Sequence, residues 1–446
     1  MNTHIVSILA VLLSFSFGLY AGQIEMALFV LIFYCLGLLL VRFLLKPINK
    51  QVYSIFGVFF VIYGLLTLLT HIELIKDPYE DYFVHNDAAW SFFQSTMDYV
   101  APLQWSELIK GTLLNPLFSD YPLAELFYGF VAKAAIGLGL VNIRLALRIH
   151  VFVAGAIICA IITDLLLKKN FKQKYVINNV LVFGCISYLY ISSAIFTRDI
   201  LMCLAYTAIS YIVLLPVCKK RIFKLIILVL IAFGIRPVSG ALALAYIFTF
   251  FLFSNTKREI KVFSTIILLI IFVVFITYST FISDSLELLS LYEEKTSSNE
   301  GGGFYKVYSL PFPINKIIFI FYMILQPIPL SAYISGDGMS ILTIPFVLSP
   351  YLISLVFYCT AAYSFKHLKD DKLLSYFIIT SILIYSIIIF ASPDLRRAFP
   401  AIPGLYMAYC ICRQDFSRRR IKRIKIAFWP IIFTIGAFFQ LYIMLK

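Results

Sequence analysis

The runs MALFVLIFYCLGLLLVRFLL (Met26–Leu45) and YSIFGVFFVIYGLLTLLTH (Tyr53–His71), separated by the short basic break KPINK (Lys46–Lys50), decide the fold. Each run is about 20 residues long, which as an α-helix crosses the roughly 30 Å hydrocarbon core of a bilayer. The break carries lysines, and Arg42 lies just before it. Apolar run, basic loop, apolar run is the pattern of two membrane helices joined on the cytoplasmic side.

The pattern repeats outward in both directions. Spanning helices are expected at His4–Tyr20, Met26–Leu45, Tyr53–His71, Leu145–Leu167, Tyr175–Ile195, Ile200–Val217, Ile222–Ile235, Ala241–Phe253, Val262–Ile282, Ile341–Tyr363, Leu373–Phe390, Ile402–Cys412 and Ile426–Leu445. The expected fold is therefore all-α and polytopic, with about 13 transmembrane helices in a single domain over residues 1–446. The N-terminus has no basic region before its apolar run and reads as a first membrane helix, not a removable signal.

Composition agrees. The 446 residues are 61% hydrophobic and 13% charged, too few charges to coat a soluble surface. The net charge of +14 sits in short loops between apolar runs, so it speaks for membrane orientation and anionic lipid, and against nucleic acid. The eight cysteines lie in or beside apolar segments without metal-ligand spacing and read as small packing residues. No metal site and no cofactor are expected.

Basic clusters at Arg42–Lys50, Lys168–Lys174, Lys219–Lys224, Lys257–Lys261, Lys366–Lys372 and Arg413–Lys425 are all expected on the cytoplasmic side. That assignment pairs the spans only if Pro122–Leu140 and Ile314–Leu330 are half-membrane or interfacial elements. Two large outer loops follow, over residues 72–142, with interfacial helices, and 283–340. In the first, Trp90 and Trp105 with Phe92, Phe93 and Tyr99 suit helices lying at the outer interface.

That loop is also acidic. Asp81, His85 and Asp87 precede the aromatic run Ala88–Phe93. A carboxylate partly desolvated beside aromatic rings is a candidate general base, and an ordinary solvated carboxylate is the plain alternative. Basic residues outside the cytoplasmic clusters are Arg198 beside Asp199, Arg236 in FGIRPVSG, and Arg396 and Arg397 after Asp394. On this topology all lie at the outer boundary, where ionisable groups are costly and often functional. The planar guanidinium fork suits phosphate. Arg198 and Arg396 have local carboxylates to pair with, whereas Arg236 has no acidic neighbour in sequence, and Pro237 and Gly240 break the helix there. Arg144, Arg148 and His150 read as a polar helix end with a structural role.

The motif HNDAAW, a YP turn leading into a helix, and then NIRLALRIHVFVAGAIICAIITDLL resemble the opening of lipid-dependent membrane glycosyltransferases of the GT-C class. DLRRAFPAIPGLYMAY resembles that class's closing element. FTRDILMCLAYTAISYIVL with IRPVSGAL resembles the repeat-unit polymerases of bacterial surface polysaccharides, of O-antigen or exopolysaccharide type. The resemblance implies an enzyme of the bacterial inner membrane that polymerises oligosaccharide repeat units carried on polyprenyl diphosphate, among membrane lipids and other polysaccharide-assembly proteins. It implies Asp87, or Asp81, as the base that deprotonates the acceptor hydroxyl. His85, Arg198, Asp199, Arg236, Asp394, Arg396 and Arg397 would then bind substrate, the arginines carrying charge on the departing diphosphate. A single-sugar transferase with a polyprenyl-phosphate donor and a lipid-linked oligosaccharide flippase are the other readings. The chain shows no internal repeat of the kind transporters often carry.

Overall fold

In the computed structural model, residues 3–47, 49–72, 122–194, 199–215, 219–253, 343–391 and 395–415 are described, with isolated positions elsewhere. Every described element is helical: α1 (Thr3–Ala21), α2 (Ile24–Leu45), α3 (Gln51–His71), α4 (Pro122–Gly137), α5 (Ile143–Lys168), α6 (Gln173–Ile186), α7 (Leu189–Ser192), α8 (Asp199–Leu214), α9 (Lys219–Ile235), α10 (Pro237–Phe253), α11 (Thr343–His367), α12 (Lys372–Ala391), α13 (Leu395–Ala398), a 3₁₀ turn (Phe399–Ala401) and α14 (Ile402–Asp415). Among the described residues, six stretches are long and apolar enough to cross a bilayer: Thr3–Ala21, Ile24–Leu45, Gln51–His71, Ile143–Lys168, Leu348–His367 and Lys372–Ile389. The protein is thus an all-helical membrane protein. The expected segments Val262–Ile282, Ile314–Leu330 and Ile426–Leu445 and the loop 283–340 lie outside the described residues, apart from isolated positions.

The chain divides into two compact units, one of Met1–Ala208, Leu230–Gly240 and Ala332–Ser349, the other of Ile209–Val229, Ala241–Ser331 and Pro350–Lys446. The first is built around α5, which is buried on all sides from Leu145 to Leu166 and packs most extensively against α3. A helix apolar all round belongs at the centre of a bundle. Helices in lipid approach closely only over small residues. Gly57 and Gly64, seven apart on α3, receive Val6 and Leu13, seven apart on α1, and a methyl group at either glycine would collide with them. Equal spacing in the same order means that α1 and α3 run parallel.

Helix ends in this unit follow local rules. At the end of α4, Leu140 N–H bonds to Ala135 C=O at 3.0 Å and Gly139 N–H to Ile136 C=O at 2.9 Å. This double closure needs a left-handed residue, and Gly139 has φ +75°. α4 then turns back along α5, bringing Tyr128 to 5.0 Å from the His150 ring. Its 16 residues span about 24 Å, less than the hydrocarbon core.

One end of the bundle is lysine-rich. Lys168 Nζ donates to Leu45 C=O at 2.7 Å and pairs with Asp164 at 2.6 Å. The clusters Arg42–Lys50 and Lys168–Lys174 therefore share that end, as the charge pattern requires. The opposite end holds the α1–α2 turn, the end of α3 and the α4–α5 turn. Gln23 ties them there, donating to Gly139 C=O at 3.1 Å and accepting from Val141 N–H at 2.9 Å.

The run Tyr175–Ile195, expected as one span, is interrupted. α6 stops at Ile186, Ser187 Oγ accepts from Leu189 N–H, and Ser349 Oγ accepts from Tyr188 N–H at 2.9 Å. Two serine hydroxyls take up backbone donors freed by the break, which is how irregular backbone is tolerated at membrane depth.

In the second unit, α12 packs against α13, the 3₁₀ turn and α14. Hydroxyls join α10 to α12: Tyr246 donates to Ser381 at 3.1 Å, and Thr249 and Thr380 lie 2.6 Å apart. Phe253 stacks on Tyr376 with ring centroids 3.5 Å apart. Inter-helix hydroxyl bonds of this kind hold helices where the hydrophobic effect cannot.

Candidate functional site

α8 and α9 have 16 and 17 residues, so each is about 25 Å long, short of the roughly 30 Å core. Asp199 opens α8, and Arg236 follows the last residue of α9. The start of α8 and the end of α9 meet. There Arg236 Nη1 donates to Asp199 Oδ1 at 3.2 Å, with side chains 14% and 9% exposed. The acid sits at the positive end of one helix dipole and the cation at the negative end of another, so each terminus favours its charge.

A single residue separates α9 from α10, and the turn around it is tight. Pro237 fixes the first backbone angle of α10. Arg236 N–H closes on Ala232 C=O at 3.0 Å, and Gly240 N–H returns to Arg236 C=O at 2.8 Å. Gly240 lies directly against the Phe233 backbone, where a methyl group would collide with its N and Cα. Tyr206 of α8 donates to Ser239 C=O, pinning the start of α10 to α8. Arg236 is therefore held by backbone on both sides. Its one side-chain bond among the described residues uses a single guanidinium nitrogen of a group with five N–H donors.

Of the residues picked from sequence, Asp199 and Arg236 are brought together. The acid that Arg236 lacks locally is supplied from 37 positions away. Arg397 is half-buried on α13 in the second unit, and only the backbone of Arg396 is described. Asp81, His85, Asp87, Arg198 and Asp394 lie outside the described residues. Among the described residues, no group of three or more His, Cys, Asp or Glu side chains is arranged to hold a metal.

A second polar group went unnoticed as a site in the sequence. Asn142 caps α5, its Oδ1 accepting from Leu145 N–H at 3.0 Å, and its amide nitrogen lies 3.0 Å from His71 Nε2. Arg148 and His150 are buried one to two turns inside α5. Asn142 before an apolar run, with arginines at i+2 and i+6, was the available signal: a capped helix whose first two turns carry both arginines on one face.

No known family model matches this chain, and no curated protein or solved structure matches it.

Proposed function

We propose that the protein is a lipid-dependent glycosyltransferase of the bacterial cytoplasmic membrane, with about 13 spans, that polymerises polyprenyl-diphosphate-linked repeat units of a surface polysaccharide at the outer face. The observation that supports this is Arg236: a guanidinium anchored at a break between two apolar helices and paired with Asp199 at 3.2 Å. An arginine so placed suits a phosphate at the membrane boundary, because its remaining donors can form a bidentate pair.

In this reading the carboxylate of Asp87, or of Asp81, takes the proton of an acceptor sugar hydroxyl. The hydroxyl oxygen attacks the anomeric carbon of the donor chain as its bond to the carrier diphosphate breaks. Negative charge then grows on the leaving diphosphate. Arg236, with Arg198, Arg396 and Arg397, stabilises it. His85 and Asp394 contact substrate. Partners are the lipid-linked oligosaccharide, bilayer lipids and neighbouring polysaccharide-assembly proteins. Transfer of one sugar from a polyprenyl phosphate would use the same groups.

A flippase is the second reading, favoured by the two helix interruptions, at Ser187–Tyr188 and at Arg236, since discontinuous helices line transport sites. Replacing Arg236 by alanine in cells that make the polymer separates the readings. For a polymerase, the polysaccharide gel ladder collapses to a single repeat unit at the outer face, with at least about a 100-fold loss of chain growth. Repeat units trapped on the cytoplasmic face would instead assign a flippase, and an unchanged ladder would remove both.

A further inference from the structure

We propose that the lysine-rich end of the first unit binds a lipid that carries two phosphates, a diphosphatidylglycerol, seated across the α2–α3 and α5–α6 turns. Six exposed cations stand there, Arg42, Lys46 and Lys50 on one turn and Lys169, Lys172 and Lys174 on the other. None of the six pairs with an acid among the described residues. Neither stretch, 42–50 or 168–174, contains an acidic residue. The acid nearest in sequence, Asp164, is 2% exposed and is taken by Lys168 at 2.6 Å. The patch is therefore of one sign, and its counter-charge comes from outside the chain.

The two turns form one surface. Lys168 donates to Leu45 C=O at 2.7 Å, which sets the last turn of α5 against the end of α2. Packed helices lie about 8–10 Å apart, a gap bridged by two phosphates joined through one glycerol and met by long lysine side chains. Both turns are closed by backbone. After α5, Asn170 N–H bonds to Leu167 C=O at 3.0 Å and Phe171 N–H to Leu166 C=O at 3.2 Å, with Asn170 left-handed at φ +61°. Lys46 ends α2 at φ +46°, its N–H on Arg42 C=O at 3.0 Å. Glycine is the residue this conformation favours, and the chain sets a cation there instead. Orientation in the membrane needs only the charges. It needs neither the stitch at Lys168 nor a lysine in the left-handed region.

The level suits headgroups. α2 has 22 residues and α3 has 21, so each is about 32–33 Å long, just more than a roughly 30 Å core. Their shared turn thus stands among the headgroups. Tyr175, stacked on Phe171 with ring centroids 5.3 Å apart, puts an amphipathic ring beside the other turn. Basic pockets between helix ends suit headgroups with more than one phosphate, and here each turn offers three cations to one phosphate. A lipid with a single phosphate satisfies only half of the surface. Binding does not depend on the transferase reading.

The test uses the full-length protein in an uncharged detergent, where the charges no longer set orientation, and follows thermal unfolding. Diphosphatidylglycerol should raise the unfolding midpoint, phosphatidylglycerol at equal phosphate should raise it less, and phosphatidylcholine should not raise it. Lys46→Gln with Lys169→Gln takes one cation from each turn and should weaken diphosphatidylglycerol binding about thirtyfold, about fivefold for each lysine. Lys366→Gln with Lys369→Gln removes two exposed lysines at the α11–α12 junction and should leave binding unchanged. Lys46→Gly relieves the left-handed strain, so the lipid-free protein should melt no lower, yet it should bind about fivefold more weakly. No shift with diphosphatidylglycerol, an equal shift with phosphatidylglycerol, or equal weakening by the Lys366→Gln/Lys369→Gln pair would overturn the site.

Discussion

Two ion pairs in the first unit use similar chemistry in opposite ways. Asp164 and Lys168 are four apart on α5, 2.6 Å from each other, and Lys168 also donates to Leu45 C=O. Asp199 and Arg236 are 37 residues apart on different helices, joined by one bond of 3.2 Å. The lysine spends its donors on tying α5 to α2 at the lysine-rich end. The arginine gives one nitrogen to its acid, its one side-chain bond among the described residues. A long uninterrupted helix delivers charge to the membrane surface, where it fastens. Two short helices, each about 25 Å long, bring an acid and a base that are distant in sequence together at their ends.

The sharpest way to break this contrast is to remove the geometry that creates the helix stop. Gly240→Val forces two extra methyls and a branched Cβ into the Phe233 backbone. Backbone cannot yield as a side chain tip does, so the turn must open at a cost of about 3 kcal/mol. The expected result is a large drop in the unfolding midpoint of the purified protein together with loss of activity. A variant of native stability would show that the close approach at Gly240 is unimportant. The same substitution at Gly139 would test a different property, the left-handed backbone at φ +75°, because nothing stands near that glycine.

Next in size is the pair itself. Asp199→Asn leaves a half-buried guanidinium with a neutral partner, and the loss should be about 2 kcal/mol, below the full value for a dry pair because Arg236 keeps some exposure. Adding Arg236→Gln should recover part of that loss, since the stranded charge goes with it, and the unfolding midpoints of the four proteins measure the coupling. Activity should not recover. If the double variant regained activity, Arg236 would be a structural residue and no more.

The contrast also explains what could be read from the chain alone. α1, α2, α3 and α5 announce themselves because a run of about 20 apolar residues has one solution in lipid. The lysine-rich end was legible because the positive-charge rule depends on local sequence. The stop at Arg236 was legible from Pro237 and Gly240. Its acid was not, since nothing local links Asp199 to a residue 37 positions on. The interruption of Tyr175–Ile195 was hidden for the same reason: a hydroxyl 161 positions away, Ser349, secures it. Asn142 was legible as a helix cap, but only the packing of α3 against α5 brings His71 within 3.0 Å of it. Local rules place the helices, and tertiary contacts convert helix ends into sites.

The smallest effect belongs to the fastening pair. Asp164→Asn keeps the volume at a position 2% exposed, so packing is preserved. The acid lies one turn from the C-terminal end of α5, where the helix dipole disfavours negative charge, and removing it relieves that penalty. Lys168 is 19% exposed, retains Leu45 C=O as an acceptor, and can extend its ammonium toward the headgroups. These offsets reduce the expected loss to about 1 kcal/mol, visible as a small fall in the unfolding midpoint of the purified protein. A loss as large as that of Asp199→Asn would mean that the lysine-rich end is as dry as the helix stop. The contrast between the two pairs would then fail.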